Sequence, residues 1–209
     1  MGKFVQYGCG LSAPPSWENF DVSPTLRLQK LPLIGGMIPG PKFPRSIRLG
    51  DIRNGLGLSD GYADAVYCSH TLEHLSLEDL REALKQSLRI LRPGGTFRFV
   101  LPDLKRIAVK YAAASGPRAS IEFMEESYLG KHTRPKGLEG MLRSWIGNSE
   151  HLWMWDYDSL SAELAQAGFV NIRRAQFGDS QIAEFKDVED PSRWKDELGI
   201  ECQKRGQQA

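Results

Sequence analysis

Apolar residues along the chain fall into short runs separated by segments of helical spacing, and this pattern predicts alternating strands and helices. The predicted strands lie at 4–7, 19–22, 47–49, 63–68, 96–101 and 170–173, with a last short one within 181–186. Strands that alternate with helices are typical of a parallel sheet whose strands are joined by crossover helices. We therefore expect an α/β fold with a Rossmann-like, mostly parallel sheet.

The clearest helix begins after Ser76, a residue type that caps helix N-termini, and ends before the Pro93-Gly94-Gly95 stop. Its apolar positions recur on one face, at Leu77, Leu80, Leu84, Leu88 and Leu91. Further helices are predicted around 104–111 and 138–145, from Asp158 or Ser159 to Gly168, and in the tail after Asp190. We expect a single domain over residues 1–209, with a helical substrate-lid insert at about 103–156.

Composition narrows the class of partner. The 209 residues carry a formal net charge of +1, which argues against the basic surface that nucleic-acid binding requires. Three cysteines without a pairing pattern suit a reducing compartment. Neither a signal peptide nor an apolar stretch of about 20 residues is evident, so we expect a cytoplasmic protein without stable membrane insertion. The expected partner is a small molecule, and the chain is expected to be a monomer or homodimer.

A glycine loop follows the first predicted strand. Gly8-x-Gly10-x-x-Ala13 formally satisfies the dinucleotide fingerprint, but Pro14-Pro15 obstructs the helix that this fingerprint needs. Asp21 also follows Gly10 by only 11 positions, whereas the dinucleotide pattern expects its acidic residue about 20 further on. Two glycines can also make an ordinary tight turn, so the loop alone leaves the choice open.

Five motifs in order resemble the class I methyltransferases that use S-adenosylmethionine (SAM), particularly the type 11 branch. They are Tyr-Gly-Cys-Gly at 7–10, Gly-Asp-Ile at 50–52, Asp-Ala-Val at 64–66, Ser-His-Thr-Leu-Glu-His-Leu at 69–75 and Leu-Arg-Pro-Gly-Gly at 91–95. The spacing Trp17-x-Asn19-x-Asp21 is similar to a subgroup of predicted bacterial methyltransferases. The resemblance implies a sheet of about seven strands and SAM as the cofactor.

The same resemblance implies roles for individual residues. Tyr7, Gly8, Cys9 and Gly10 would line the methionine part of SAM, and Asp21 would hold the ribose. Asp51 would accept from the adenine amino group with Ile52 beside the ring, and Ser69 and His70 would border the sulfonium. Tyr7 and Ser12 stand roughly where family members carry an acidic residue and a third glycine, and the first crossover helix is missing or reduced.

A histidine motif offers a different chemistry. His70-x-x-Glu73-His74 spells the inverted zinc-protease signature, in which two imidazoles bind a metal and the glutamate activates water. His70 lies where a strand ends rather than inside a helix, and no third ligand follows in the sequence. We therefore predict no metal site, and a zinc enzyme remains the weaker alternative. His74 is expected to be a packed or capping residue.

The sequence thus predicts a SAM-dependent methyltransferase acting on a small molecule, glycan or lipid precursor. A non-catalytic SAM-binding module is the alternative. His70, Asp103 and His151 are the candidate catalytic residues, since a high-pKa oxygen nucleophile would need a base. The predicted lid is rich in rings suited to a pocket wall, at Tyr128, His132, Trp145, His151, Trp153 and Trp155. The apolar segment 31–39 is a further feature, either a flap, a lipid-facing patch or a dimer contact.

Overall fold

A computed structural model of the chain describes residues 2–32, 35–38, 41–132 and 150–207. The strands of this part are β1 (Phe4–Tyr7), β2 (Glu18–Asp21), β3 (Arg48–Leu49), β4 (Ala63–Ser69), β5 (Leu91–Leu101), β6 (Phe169–Ala175) and β7 (Leu198–Lys204). They form one sheet in the order β3-β2-β1-β4-β5-β7-β6. The first five are parallel, whereas β7 runs antiparallel to both of its neighbours. The expected Rossmann-like α/β sheet is confirmed.

Five α-helices accompany the sheet in the described ranges: α1 (Pro24–Gln29), α2 (Leu77–Ile90), α3 (Leu104–Ala113), α4 (Ala119–Glu126) and α5 (Tyr157–Ala167). The predicted start of α2 is confirmed, because the Ser76 side chain accepts from the backbone N–H of Asp79. Helix α5 begins two or three residues earlier than expected, since Asp156 rather than Asp158 or Ser159 caps it.

The two faces of the sheet are covered differently. On one face, α2 and α5 bury Leu80, Leu84 and Leu164 against apolar residues of β4 and β5. On the other face, the segment before β7 packs Phe185 and Trp194 against the sheet. These side chains form one buried cluster with Trp17 and Tyr67. The strands of a parallel sheet buried on both faces read as continuous apolar runs, as β4 does here.

The end of the chain differs from the sequence-based expectation. Ala183–Asp187 forms a 3-10 helix rather than a strand, and a strand stands where we expected a surface helix. In β7, Leu198, Ile200 and Cys202 are buried, which is the period-two pattern of a strand. Strand β7 lies between β5 and β6 and pairs with both, so its backbone groups are satisfied by the sheet.

The connection from β1 to β2 contains no helix within residues 8–17, which are all described, as the proline pair indicated. The region predicted to form a lid contains α3 and α4, which are joined by the ion pairs of Arg106 and Lys110 with Glu126. The helix expected over 138–145, including Trp145, lies outside the described residues. Among the helices that the structure describes, none is both long enough and apolar enough to cross a membrane.

Candidate functional site

The strand order reverses between β1 and β4, and ligands of open α/β sheets bind at such a point, beyond the carboxyl ends of the strands. Gly8 follows β1 and lies against Thr71, which follows β4. Gly8 has a φ of +61°, and a Cβ there would come within 2.2 Å of Thr71 Oγ1. Only glycine allows the loop to approach the end of β4 this closely.

Gly10 opens the same loop toward solvent. Its φ is +55°, and a Cβ at this position would meet no atom within 4 Å. Its backbone N–H donates to Asp21 Oδ2 at 2.9 Å, while the N–H of Ser23 donates to Asp21 Oδ1 at 2.8 Å. An ionised carboxylate accepts about four hydrogen bonds, so Asp21 keeps acceptor capacity beside the open face of Gly10.

The side chains of Tyr7 and Cys9, on either side of Gly8, are both buried. Tyr7 is buried, its hydroxyl accepts from Ser87 at 3.3 Å, and burial holds its pKa well above the usual value. Burial, and then the nearby Asp21 carboxylate, raise the pKa of the Cys9 thiol to about 12. Both residues can therefore line a cofactor only through their backbone atoms.

Asp51 caps the 3-10 turn Ile52–Gly57 and is held by Arg53. Arg53 donates to both carboxylate oxygens, at 3.0 Å from Nε and 2.6 Å from a terminal nitrogen. Burial opposes ionisation, but the Arg53 hydrogen bonds outweigh it and hold the pKa of Asp51 below its usual value. Ile52 beside it is buried and apolar. Any ligand amino group that uses Asp51 has to share it with Arg53.

At the end of β4, Ser69 and His70 are covered by Arg193, a residue that the sequence did not single out. Arg193 Nε donates to Ser69 Oγ at 2.9 Å, and its carbonyl accepts from His70 Nε2 at 3.1 Å. His70 has a φ of +48°, an uncommon backbone conformation that clusters at functional sites. Burial lowers the pKa of His70, but Glu73 and the Arg193 carbonyl more than compensate and raise it.

The other two catalytic candidates have different surroundings. Asp103 caps α3, with Oδ1 accepting from the N–H groups of Lys105 at 2.9 Å and Arg106 at 3.3 Å. His151 is buried beside Glu73 and His74, and burial lowers its pKa. The structure thus brings His151 to the His70 motif, but it gives Asp103 a helix-capping role.

Comparisons with known proteins agree with this geometry. Residues 35–99 match the family model described as a methyltransferase domain. The SAM-dependent methyltransferase from Thermotoga maritima, named as a possible histamine N-methyltransferase, has 18% identity and a TM-score of 0.53, covering 98% of this chain and 83% of that one. PigF with SAH has 15% identity and a TM-score of 0.50, covering 97% of this chain and 50% of that one. No curated protein sequence gives a significant match.

Residues 35–99 are thus similar to a methyltransferase domain, and the chain has the fold of SAM-dependent methyltransferases. The family model matches this segment, while the solved structures, all of low identity, show the fold alone.

The donor set of this site fits SAM. The ribose hydroxyls need an acceptor-only group, which Asp21 would provide beside the open face of Gly10. SAM contains no phosphate group, so its site does not need a helix N-terminus of the kind that binds phosphates. This agrees with the absence of a helix within residues 8–17. Arg193 is a site residue that the sequence did not predict. It contacts Ser69 at the end of β4, and it belongs to an aromatic-rich segment that contains no recognisable motif.

Proposed function

We propose that the enzyme transfers the methyl group of SAM to a small molecule, glycan or lipid precursor, with SAM lying across the ends of β1, β2 and β3. The observation that carries this proposal is the open face of Gly10 next to the Asp21 carboxylate. Gly8, Gly10 and the backbone of Tyr7 and Cys9 would approach the methionine part. Asp21 would bind the ribose hydroxyls, and Asp51 with Ile52 the adenine.

When bound, SAM supplies an electrophilic methyl group on its sulfonium. The task of the protein is then alignment, which contributes on the order of 7–11 kcal/mol in favourable cases. We assign alignment on the acceptor side to Ser69 and His70. His70 Nε2 donates to the Arg193 carbonyl, and its Nδ1 lies 3.5 Å from Glu73 Oε1, so these two contacts would hold the ring beside the acceptor.

Asp103 and His151 receive positioning roles in this proposal rather than contact with the reacting atoms. The Asp103 carboxylate is occupied with the N-terminus of α3, and the residue forms a β-bridge with Trp155. His151 is buried, and its backbone N–H donates to the Tyr128 carbonyl at 3.4 Å. Asp103 joins Trp155 to the end of β5, and His151 joins two segments of the lid region.

Large apolar side chains remain exposed in the lid region. Tyr128, Leu152 and Trp153 are 57%, 56% and 43% exposed, and Leu152 and Trp153 both bond through their N–H groups to the Glu73 carbonyl, close to His70. Exposed apolar patches of this kind mark binding surfaces. They support an acceptor with apolar or sugar faces that can lie against aromatic rings.

The proposal is tested with SAM labelled on its methyl group. The purified protein is incubated with panels of small metabolites, glycans and lipid precursors, and labelled product is separated from SAM. We expect transfer to one of these panels and binding of both SAM and SAH by calorimetry. Absence of SAM binding would refute the cofactor site. SAM binding without transfer to any panel would support a binding module instead.

A further inference from the structure

Glu73 carries a carboxylate that has no hydrogen-bond partner within the described residues. The side chain is fully buried, and neither Oε1 nor Oε2 is satisfied. A buried charge without partners costs several kcal/mol, so such groups are normally paired or bound to a metal ion. The methyl-transfer site described above does not use this carboxylate.

Three of the four histidines of the chain surround the same carboxylate oxygen. Glu73 Oε1 lies 3.5 Å from His70 Nδ1, 3.9 Å from His151 Nε2 and 4.0 Å from His74 Nε2. The ligand atoms of Glu73, His74 and His151 all lie within 4.8 Å of one another. His151 is the third ligand that the motif His70-x-x-Glu73-His74 lacks in the sequence.

The other ring nitrogens fix the tautomers of His74 and His151. His74 Nδ1 lies 2.8 Å from the Glu150 carbonyl, and His151 Nδ1 lies 3.2 Å from Met154 Sδ. A carbonyl and a thioether only accept, so both Nδ1 atoms carry the hydrogen. In the neutral form of each ring the lone pair is then on Nε2, which lies 4.0 Å from Glu73 Oε1 in His74 and 3.9 Å in His151. Metal-binding histidines are held in this way by partners on their other nitrogen.

We infer that Glu73, His74 and His151 form a binding site for a divalent transition-metal ion of the zinc type. One carboxylate with two imidazoles is a set that zinc uses in enzymes. Zinc–ligand bonds of about 2.0–2.2 Å in a tetrahedron place ligand atoms about 3.4 Å apart. Small side-chain movements would shorten the 3.9 and 4.0 Å separations to that value. The inference reverses the sequence-based prediction of no metal site.

The backbone holds the two halves of the site together. The Glu73 carbonyl accepts from the N–H groups of Leu152 at 2.8 Å and Trp153 at 3.2 Å. These bonds join the turn Leu72–His74 to the segment that follows His151. Because the His74 side chain is 23% exposed, one side of the cluster is open to an entering ion. Glu73 and His151 form the buried side.

The experiment uses untagged full-length protein, stripped with a chelator and titrated with Zn²⁺ by calorimetry and with Co²⁺ by visible absorption. We expect one equivalent of Zn²⁺ with submicromolar affinity, and cobalt bands of a tetrahedral site. Glu73→Gln and His151→Ala should each weaken zinc binding at least 100-fold. His132→Ala is the matched control, because the fourth histidine is 74% exposed and pairs with Glu125 instead.

Circular dichroism and melting of the metal-free variants separate loss of the site from loss of the fold. If Glu73→Gln does not fold, His74→Asn provides the test, because the His74 side chain is partly exposed. The inference is overturned if the wild type binds no stoichiometric Zn²⁺, or if the folded variants bind it as the wild type does. In that case the charge of the Glu73 carboxylate is balanced by protonated histidines, without a metal ion. Titration with zinc needs no SAM, so its result stands apart from the SAM-binding test above.

Discussion

The backbone N–H of Gly10 donates to Asp21 Oδ2 at 2.9 Å and so joins the glycine loop to the end of β2. Asp21 follows Gly10 by 11 positions, and no helix lies between them. The carboxylate therefore does two things in the proposed site: it holds the loop in place and it faces the ribose.

We predict that Asp21→Ala lowers the affinity for SAM by about 10- to 100-fold. The reason is the net loss of one hydrogen bond to a charged acceptor, which contributes about 1.5–3 kcal/mol. Calorimetry with SAM and SAH measures the change, and thermal melting shows whether the loop anchor also matters for stability. Asp158→Ala serves as the control, since that carboxylate is 74% exposed. Equal affinities of the Asp21→Ala variant and the wild type would contradict the ribose assignment.

Gly10→Ala should weaken SAM binding more than it weakens the fold. The added methyl group enters the open space above the loop, and φ of +55° strains alanine by about 1–2 kcal/mol. Gly178→Ala is a matched control, because Gly178 has φ of +72° and equally open surroundings in the β6–β7 connection. The two variants should melt at similar temperatures and differ in SAM affinity. A similar SAM affinity for both would place the cofactor elsewhere.

Leu84→Ala should destabilise the protein by about 2–5 kcal/mol. Leu84 is fully buried where α2 packs on the sheet, so the change removes apolar contacts and leaves a cavity. Urea unfolding followed by circular dichroism measures the loss. Val109→Ala on α3 removes a side chain that is 62% exposed and should cost under about 0.5 kcal/mol. Comparable losses for the two variants would mean that α2 does not cover the core.

Asp179 should make stability depend on acid pH. Burial opposes its ionisation, but hydrogen bonds from Arg173, the Gln176 N–H and Arg98 outweigh this and lower its pKa from 3.8 to about 2. The folded pKa is below the unfolded one, so the stabilisation is full above pH 4 and is lost as pH falls through about 2. Given partial exposure, we expect on the order of 1 kcal/mol.

The measurement is urea unfolding of the wild type and Asp179→Asn between pH 3 and pH 6. The variant should be less stable at pH 6, and the difference should shrink toward pH 3. Arg98 lies at the centre of this network, fully buried and bonded to Glu189, Asp179 and Glu201. A constant difference across the pH range would show that Asp179 is not stabilised in its ionised form.

Local patterns accounted for much of the fold. The predicted strand at 4–7 is β1, the run at 63–68 falls within β4, and the leucine period after Ser76 is α2. The apolar residues of these elements recur with the period of a strand or a helix, and that period is visible in the sequence. The last strand was misplaced because β7 pairs with β5 and β6, and pairing with remote strands overrides local preference.

For this protein, the sequence by itself predicted the glycine loop and the absence of a helix before Asp21, because both depend on residue types at short spacing. Its resemblance to a known family implied SAM as the cofactor. Only the tertiary structure decided that Arg53 holds Asp51, that Arg193 covers Ser69 and His70, and that His151 joins Glu73. These contacts connect segments that are far apart in the chain or depend on side-chain direction. Packing of the whole sheet sets both, and no local spacing encodes them.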